Sequence, residues 1–241
     1  AASRPAELGE SFVYNLEPFR EVAPALLQYR EMGRVDTGFE TVRGLALTPE
    51  GQLWVAGDKA LRRFDAAGAR VLEIPLPDEA RAVAARDGLV YAALRRQVAV
   101  FDLQGKQQAL WQDLGPTALL TSIALAKDSA YLADSGNRVV WRRDLKGEPL
   151  GELGRKDPTR GVPGLVVPSP HLDLALDSGG LILITNPGRH QVEAYTPDGD
   201  RAGGWGRAAM RIEGFSGCCN PVAIARLADG RTMDSQDRSS P

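Results

Sequence analysis

The chain's only two cysteines stand side by side, in Gly217-Cys218-Cys219-Asn220-Pro221. Adjacent thiols can close a strained vicinal disulfide, pack as a rigid turn, or present two thiolates to a soft metal, and the spacing leaves all three open. The two histidines, His171 and His190, bracket one apolar stretch, and Arg189 immediately precedes the second. His171, Arg189, His190, Cys218, Cys219 and Asn220 are therefore the candidates for contacting a ligand or a protein partner. No residue is assigned a catalytic role. A nucleophile elbow, a P-loop and a dinucleotide fingerprint are all missing from the sequence. Gly203-Gly204-Trp205-Gly206 is glycine-rich but lacks the lysine and the following helix that phosphate binding needs, and reads as the turn leaving an outer strand.

The elements that must position these residues repeat. Gly44-Leu45-Ala46-Leu47, Ala82-Val83-Ala84-Ala85, Ser122-Ile123-Ala124-Leu125 and Leu172-Asp173-Leu174-Ala175-Leu176 each open a copy, each followed by a turn and a second apolar run. Each copy carries a further hairpin signal: Phe64-Asp65-Ala66-Ala67-Gly68, Phe101-Asp102-Leu103-Gln104-Gly105, Arg143-Asp144-Leu145-Lys146-Gly147 and Tyr195-Thr196-Pro197-Asp198-Gly199. The closing glycines lie 37, 42 and 52 residues apart, which brackets the period of about 40 residues of a four-stranded propeller blade. The fold class is all-β, a β-propeller of antiparallel blades. Small residues in the inner strands let them crowd a central axis. Trp54, Trp111, Trp141 and Trp205 recur near blade strands and read as inter-blade packing.

A fifth copy opens at Pro221-Val222-Ala223-Ile224 and shows no strand pattern after Asp229-Gly230. Four blades and a fragment leave sheet faces uncovered, so the natural protein is expected to continue and complete a ring of six. Residues 1–42 read as a lead-in, with a short helix around Val22, Leu26 and Tyr29. Ser11-Phe12-Val13-Tyr14 and Arg34-Val35-Asp36-Thr37 are candidate strands that could close the ring. Residues 43–241 are the blades.

The charge balance, 29 basic against 31 acidic residues, supplies no global field for nucleic acid. The pairs Arg62-Arg63, Arg95-Arg96 and Arg142-Arg143 read as solvated outer faces of blades. No run approaches the length of an apolar membrane span. The chain starts at alanine, and Ala1-Ala2-Ser3 suits the small-residue end of a signal-peptide cleavage site, which implies an extracytoplasmic location, periplasmic or secreted.

The segment from Gly44 through Glu50-Gly51-Gln52-Leu53-Trp54-Val55-Ala56 to Phe64-Asp65-Ala66-Ala67-Gly68 resembles the NHL-repeat family of β-propellers. Asp134-Ser135-Gly136-Asn137-Arg138-Val139 is similar to that family's Asp-x-x-Asn-x-Arg signature, with the arginine one residue early. The resemblance covers about residues 40 to 230. Val167-Pro168-Ser169-Pro170-His171 and Ile212-Glu213-Gly214-Phe215-Ser216-Gly217-Cys218-Cys219-Asn220-Pro221 narrow it to exported bacterial NHL-repeat proteins carrying the same Gly-Cys-Cys-Asn-Pro element.

The family includes enzymes, ligand binders and interaction domains. Its amidating lyases hold zinc with histidines from several blades, and two histidines from one blade cannot build a three-histidine site. Calcium sites of lactonase-type propellers would draw on Asp134, Asn137, Asp173, Asn186 and Asn220, of which Asp134 and Asn137 already serve as turn formers. No cofactor is predicted, zinc and calcium being the metals the resemblance would allow. The expected function is a noncatalytic binding or scaffold propeller that meets a protein partner or membrane-complex subunits. The alternatives are a metal-dependent propeller hydrolase or lyase, and a redox-linked role through the cysteine pair.

Overall fold

Aspartates that accept hydrogen bonds from their own turns shape the outer hairpins. Asp65 Oδ1 accepts from the Ala67 and Ala69 N–H groups (2.9 Å each), Asp102 Oδ1 from Gln104 and Lys106 (3.0 and 2.9 Å), and Asp144 Oδ1 from Lys146 and Glu148 (2.8 Å each). Thr196 Oγ1 takes the same place in the fourth repeat, accepting from Asp200 N–H at 3.2 Å. The turns close through Gly68, Gly105, Gly147 and Gly199, all at φ between 81° and 96°, a conformation that excludes most side chains.

The structure, a computed structural model, describes residues 29–209, 214–217, 219–227 and 230–235. The chain divides into two compact units, Ala1–Val35 and Asp36–Pro241. The second unit is built of blades. The first blade is β1 (Val42–Leu47), β2 (Leu53–Gly57), β3 (Ala60–Phe64) and β4 (Arg70–Pro75). The second is β5 (Ala82–Arg86), β6 (Leu89–Ala93), β7 (Val98–Asp102) and β8 (Gln107–Leu110). The third is β9 (Leu120–Leu125), β10 (Ala130–Asp134), β11 (Val139–Arg143) and β12 (Pro149–Leu153). The fourth is β13 (Leu174–Leu176), β14 (Ile182–Asn186), β15 (Gln191–Tyr195) and β16 (Arg201–Trp205). A fifth sheet pairs β17 (Ala223–Arg226) with β18 (Thr232–Ser235). Every blade is an antiparallel meander, as the repeat predicts.

Apolar side chains fill the spaces between successive blades. Trp54, Leu61 and Ile74 of the first meet Val83, Val90 and Phe101 of the second. Tyr91 and Trp111 of the second meet Leu120 and Leu132 of the third. Tyr131, Val140 and Leu153 meet Leu174, Ile184 and Tyr195, and Val192 and Leu183 meet Ile224 of β17. The inner strands crowd as expected: a Cβ added to Gly44 would lie 2.9 Å from Ala82 Cα in the neighbouring blade.

One register position measures what this packing achieves. Val83, Ile123, Leu174 and Ile224, at matching register in their inner strands, are 6%, 7%, 4% and 6% exposed, whereas the equivalent Leu45 of β1 is 63% exposed. Leu174→Ala is therefore expected to cost about 2–5 kcal/mol, and the chemically identical Leu45→Ala less than about 0.5 kcal/mol. Urea unfolding of the two variants checks this, and equal losses would contradict it.

Four sequence expectations change. Arg63 and Arg142 are clasps between blades rather than solvated faces: Arg63 Nη1 donates to Leu103 O (2.8 Å) and Arg142 Nη1 to Pro197 O (3.1 Å), the same turn carbonyl of the next blade each time. Thr232–Ser235 forms a strand although only Met233 in it is apolar, because pairing with β17 uses backbone groups. Arg34-Val35-Asp36-Thr37 is not a strand; Asp36 Oδ1 and Thr37 Oγ1 accept instead from Gly38 and Phe39 N–H, which bends the chain. Gly203, Gly204 and Trp205 lie within β16, and Gly206 alone leaves it; Trp205 is 41% exposed, while Trp54 is buried. Residues 11–14 and the proposed helical residues Val22 and Leu26 lie outside the described residues, and Tyr29 is in neither helix nor strand.

Candidate functional site

The inner strands enclose a cavity of about 730 Å³, lined by Arg43, Arg81, Ser122, His171 and Asp173 among apolar residues of β1, β5, β9, β13 and β17. Its rim is tied from blade to blade. Arg43 Nε pairs with Glu79 Oε1 at 2.9 Å, and Arg81 Nη1 with Glu79 Oε2. Arg81 Nε donates to Leu120 O (3.1 Å), and Thr121 Oγ1 to Leu172 O (2.6 Å).

Asp173 is the most constrained group of the cavity wall. Its Oδ1 accepts from its neighbour Leu174 N–H and its Oδ2 from Ile224 N–H of the fifth sheet, each at 2.8 Å. The Ser122 side chain of the third blade adds a further hydrogen bond, so one carboxylate joins three blades. Burial pushes the carboxyl above the ordinary aspartate value, opposed by the bonds from Ser122, Ile224 and Leu174.

A carboxyl raised in the folded state contributes stability that is full below its unfolded value, here 3.8, and is lost as pH rises through the folded value. Asp173→Asn leaves one backbone N–H without an acceptor. It is expected to cost about 1–3 kcal/mol at pH 4, with the deficit shrinking toward pH 7. Urea unfolding at both pH values reads this, and a deficit that grew with pH would refute it. His171 and Asp234 share the cavity wall and are present in both proteins.

The predicted contact residues fall into two places. His171 is exposed and lines the cavity. Arg189 and His190 sit farther from the axis, on the turn between β14 and β15, where a 3-10 turn spans Pro187–Arg189 and His190 holds φ 56°. There His190 Nε2 donates to Gly217 O at 2.6 Å, so the histidine grips the cysteine loop. Asn220, 2% exposed, donates from Nδ2 to Ser216 O (2.6 Å) across the same loop, and Arg189 Nη2 reaches Pro163 O at 3.5 Å. Cys219 is half-buried, and Cys218 lies outside the described residues. The fold thus brings His190 to Gly217, while His171 faces the cavity.

The calcium candidates do not converge. Asp134 and Asn186 end β10 and β14, both fully buried, and each holds the loop that leads to its blade's inner strand: Asp134 accepts from Leu119 N–H, Asn186 Oδ1 from Val166 N–H, at 2.9 Å each. Of the five named residues, only Asp173 lines the cavity. Among the described residues, no three His, Cys, Asp or Glu side chains group as a metal site. Arg43 and Arg81 are rim residues that belong to no sequence motif. Aligning the inner strands finds them: arginine holds the first position only in the first two blades, and a carboxylate the second position only in the fourth.

No protein-family model matches the chain, and no curated protein matches it. Solved structures do. Virginiamycin B lyase from Staphylococcus aureus is 13% identical, over 82% of this chain and 70% of that one, with a TM-score of 0.57. A protein of unknown function from Bacteroides thetaiotaomicron is 17% identical over 81% and 52%, with a TM-score of 0.62. Kuenenia stuttgartiensis hydrazine synthase is 15% identical over 88% and 60%, with a TM-score of 0.58. Together with the blades, these establish a β-propeller. No helix among the described residues is long and apolar enough to cross a membrane.

Proposed function

We propose that the chain is a noncatalytic binding propeller of the NHL type, working outside the cytoplasm as a subunit or partner in a protein assembly. The surface that makes the contacts is the face carrying Arg189, His190 and Cys219, braced from beneath by the buried Asn220, with His171 toward the axis. The hydrogen bond from His190 to Gly217 O carries this proposal. It locks a loop of the fourth blade to the segment leading into the fifth, and the bonds of Asn220 to Ser216 O and Arg189 to Pro163 O hold the same surface. A surface fixed before binding loses less entropy when a partner docks. On the cavity side, the Asp173 carboxylate is engaged with three donors, two of which tie it to neighbouring blades, which suits a structural role.

Purification of the full-length protein from its native host in mild detergent, beside His190→Ala and Arg189→Glu variants, tests this. A partner retained by the parent and lost from both variants, with the variants' circular dichroism still that of the folded parent, is the expected result. Stoichiometric zinc or calcium in the purified protein, together with hydrolase or lyase turnover, would overturn it.

A further inference from the structure

We propose that the cavity binds an organic carboxylate, seated on Arg43, Arg81 and the backbone N–H groups of Val83 and Ile123. This goes beyond the docking face described above and does not depend on it. The protein already shows how a carboxylate is held at the axis. Asp173 accepts from Leu174 of β13, in its own blade, and from Ile224 of β17, at the matching position of the next. Leu174 pairs across the sheet with Ile184; Val83 with Ala92 and Ile123 with Leu132 hold the same register. The N–H groups of Val83 and Ile123 are thereby the second- and third-blade counterparts of the pair that Asp173 occupies.

The residue that would supply the carboxylate there is Ala82, and in the first blade Gly44, so neither carries an acceptor. In those two blades alone the preceding residue is an arginine; in the other three it is Thr121, Leu172 or Val222. Positive charge thus sits in two of the four blades that lack the built-in carboxylate, and the one blade that has the carboxylate has no arginine there. Glu79 offsets one of the two charges. Arg81 keeps Nη2, and Arg43 keeps both Nη groups, without a hydrogen-bond acceptor among the described residues. The cavity's volume of about 730 Å³ lies within the range of about 300–1,000 Å³ usual for small-molecule sites, and its apolar wall suits a ligand with a hydrocarbon or aromatic body.

The test is titration of the full chain with benzoate, and with benzamide as its uncharged match, at constant ionic strength by calorimetry and thermal shift. Benzoate is expected to bind saturably and raise the melting temperature, and benzamide to do neither. Arg43→Gln, a change at an exposed side chain, should weaken benzoate at least about tenfold, the loss of one charge-assisted contact. Ala82→Asp should place a carboxylate on Val83 and Ile123 N–H and abolish binding; if that variant fails to fold, Arg43→Gln decides. Equal responses to benzoate and benzamide, or unchanged affinity in Arg43→Gln, would overturn the site while leaving the docking face untouched.

Discussion

Asp134→Ala is expected to lower the unfolding free energy by about 4 kcal/mol, a large share of the roughly 5–15 kcal/mol that stabilises a domain. Asp134 is fully buried at the end of β10. Its Oδ1 accepts from Leu119 N–H (2.9 Å) and Asn137 N–H (3.1 Å), and its Oδ2 from Asn137 Nδ2 (2.7 Å) and Trp141 Nε1 (2.9 Å). Alanine leaves all four donors without their acceptor where water is excluded, and each buried orphan costs about 1–3 kcal/mol unless it relaxes onto another group. The Thr117 hydroxyl, which donates to Asn137 Oδ1 at 2.7 Å, can turn to accept from the Asn137 amide once Asp134 is gone. Asp134→Asn keeps one oxygen but turns an amide toward Asn137 Nδ2 and Trp141 Nε1, and should lose about half as much. Urea unfolding measures both, and tryptophan fluorescence reports the release of Trp141. A loss under about 1 kcal/mol in Asp134→Ala would show that the cluster does not hold the blade.

The same cluster shows where the sequence is legible. Asp134 and Asn137 lie three residues apart in a turn signature, and their local bond is what that spacing predicts. The reach of Asp134 to Leu119, across a hairpin, is not written in any local pattern. The propeller itself is legible because each blade repeats short-range chemistry: an aspartate turn, a left-handed glycine, an alternation of small and branched residues. Adjacent blades then have to meet, because each leaves apolar faces that only another blade can cover.

What the sequence hides is which polar side chains face a neighbouring blade. Arg63 and Arg142 look like surface charges in any single strand, yet both end on the turn carbonyl of the next blade. Asp173 looks like one of many loop carboxylates until its inner strand is aligned with Gly44, Ala82, Ser122 and Ala223. Of the contact candidates, the link between His190 and the cysteine loop spans 27 residues and emerges only when the fourth and fifth sheets pack. Trp205 shows the opposite failure: a large aromatic in the repeat pattern suggests burial, but β16 is the outermost strand of its sheet and exposes it.

Tyr195→Phe is expected to destabilise the fourth blade by about 2–3 kcal/mol, although only one oxygen is removed. Glu193 on β15 is wholly buried, and Tyr195 Oη donates to its Oε2 at 2.7 Å. The other carboxylate oxygen, Oε1, makes no hydrogen bond; its nearest cation is Arg201 Nε at 3.8 Å. Burial and the adjacent Glu193 hold the Tyr195 phenol well above its usual value, so it remains a donor at every pH at which the protein is handled. Losing that donor leaves an enclosed carboxylate with one distant partner. Glu193→Met in the same background removes the orphan, and replacing both members of a buried polar pair by apolar groups of similar size is close to neutral or stabilising. The double variant should therefore recover most of the loss, giving a coupling of about 2 kcal/mol in a double-mutant cycle. Additive losses would mean instead that Glu193 contributes through packing, and that the buried charge of the fourth blade is satisfied by Arg201 alone.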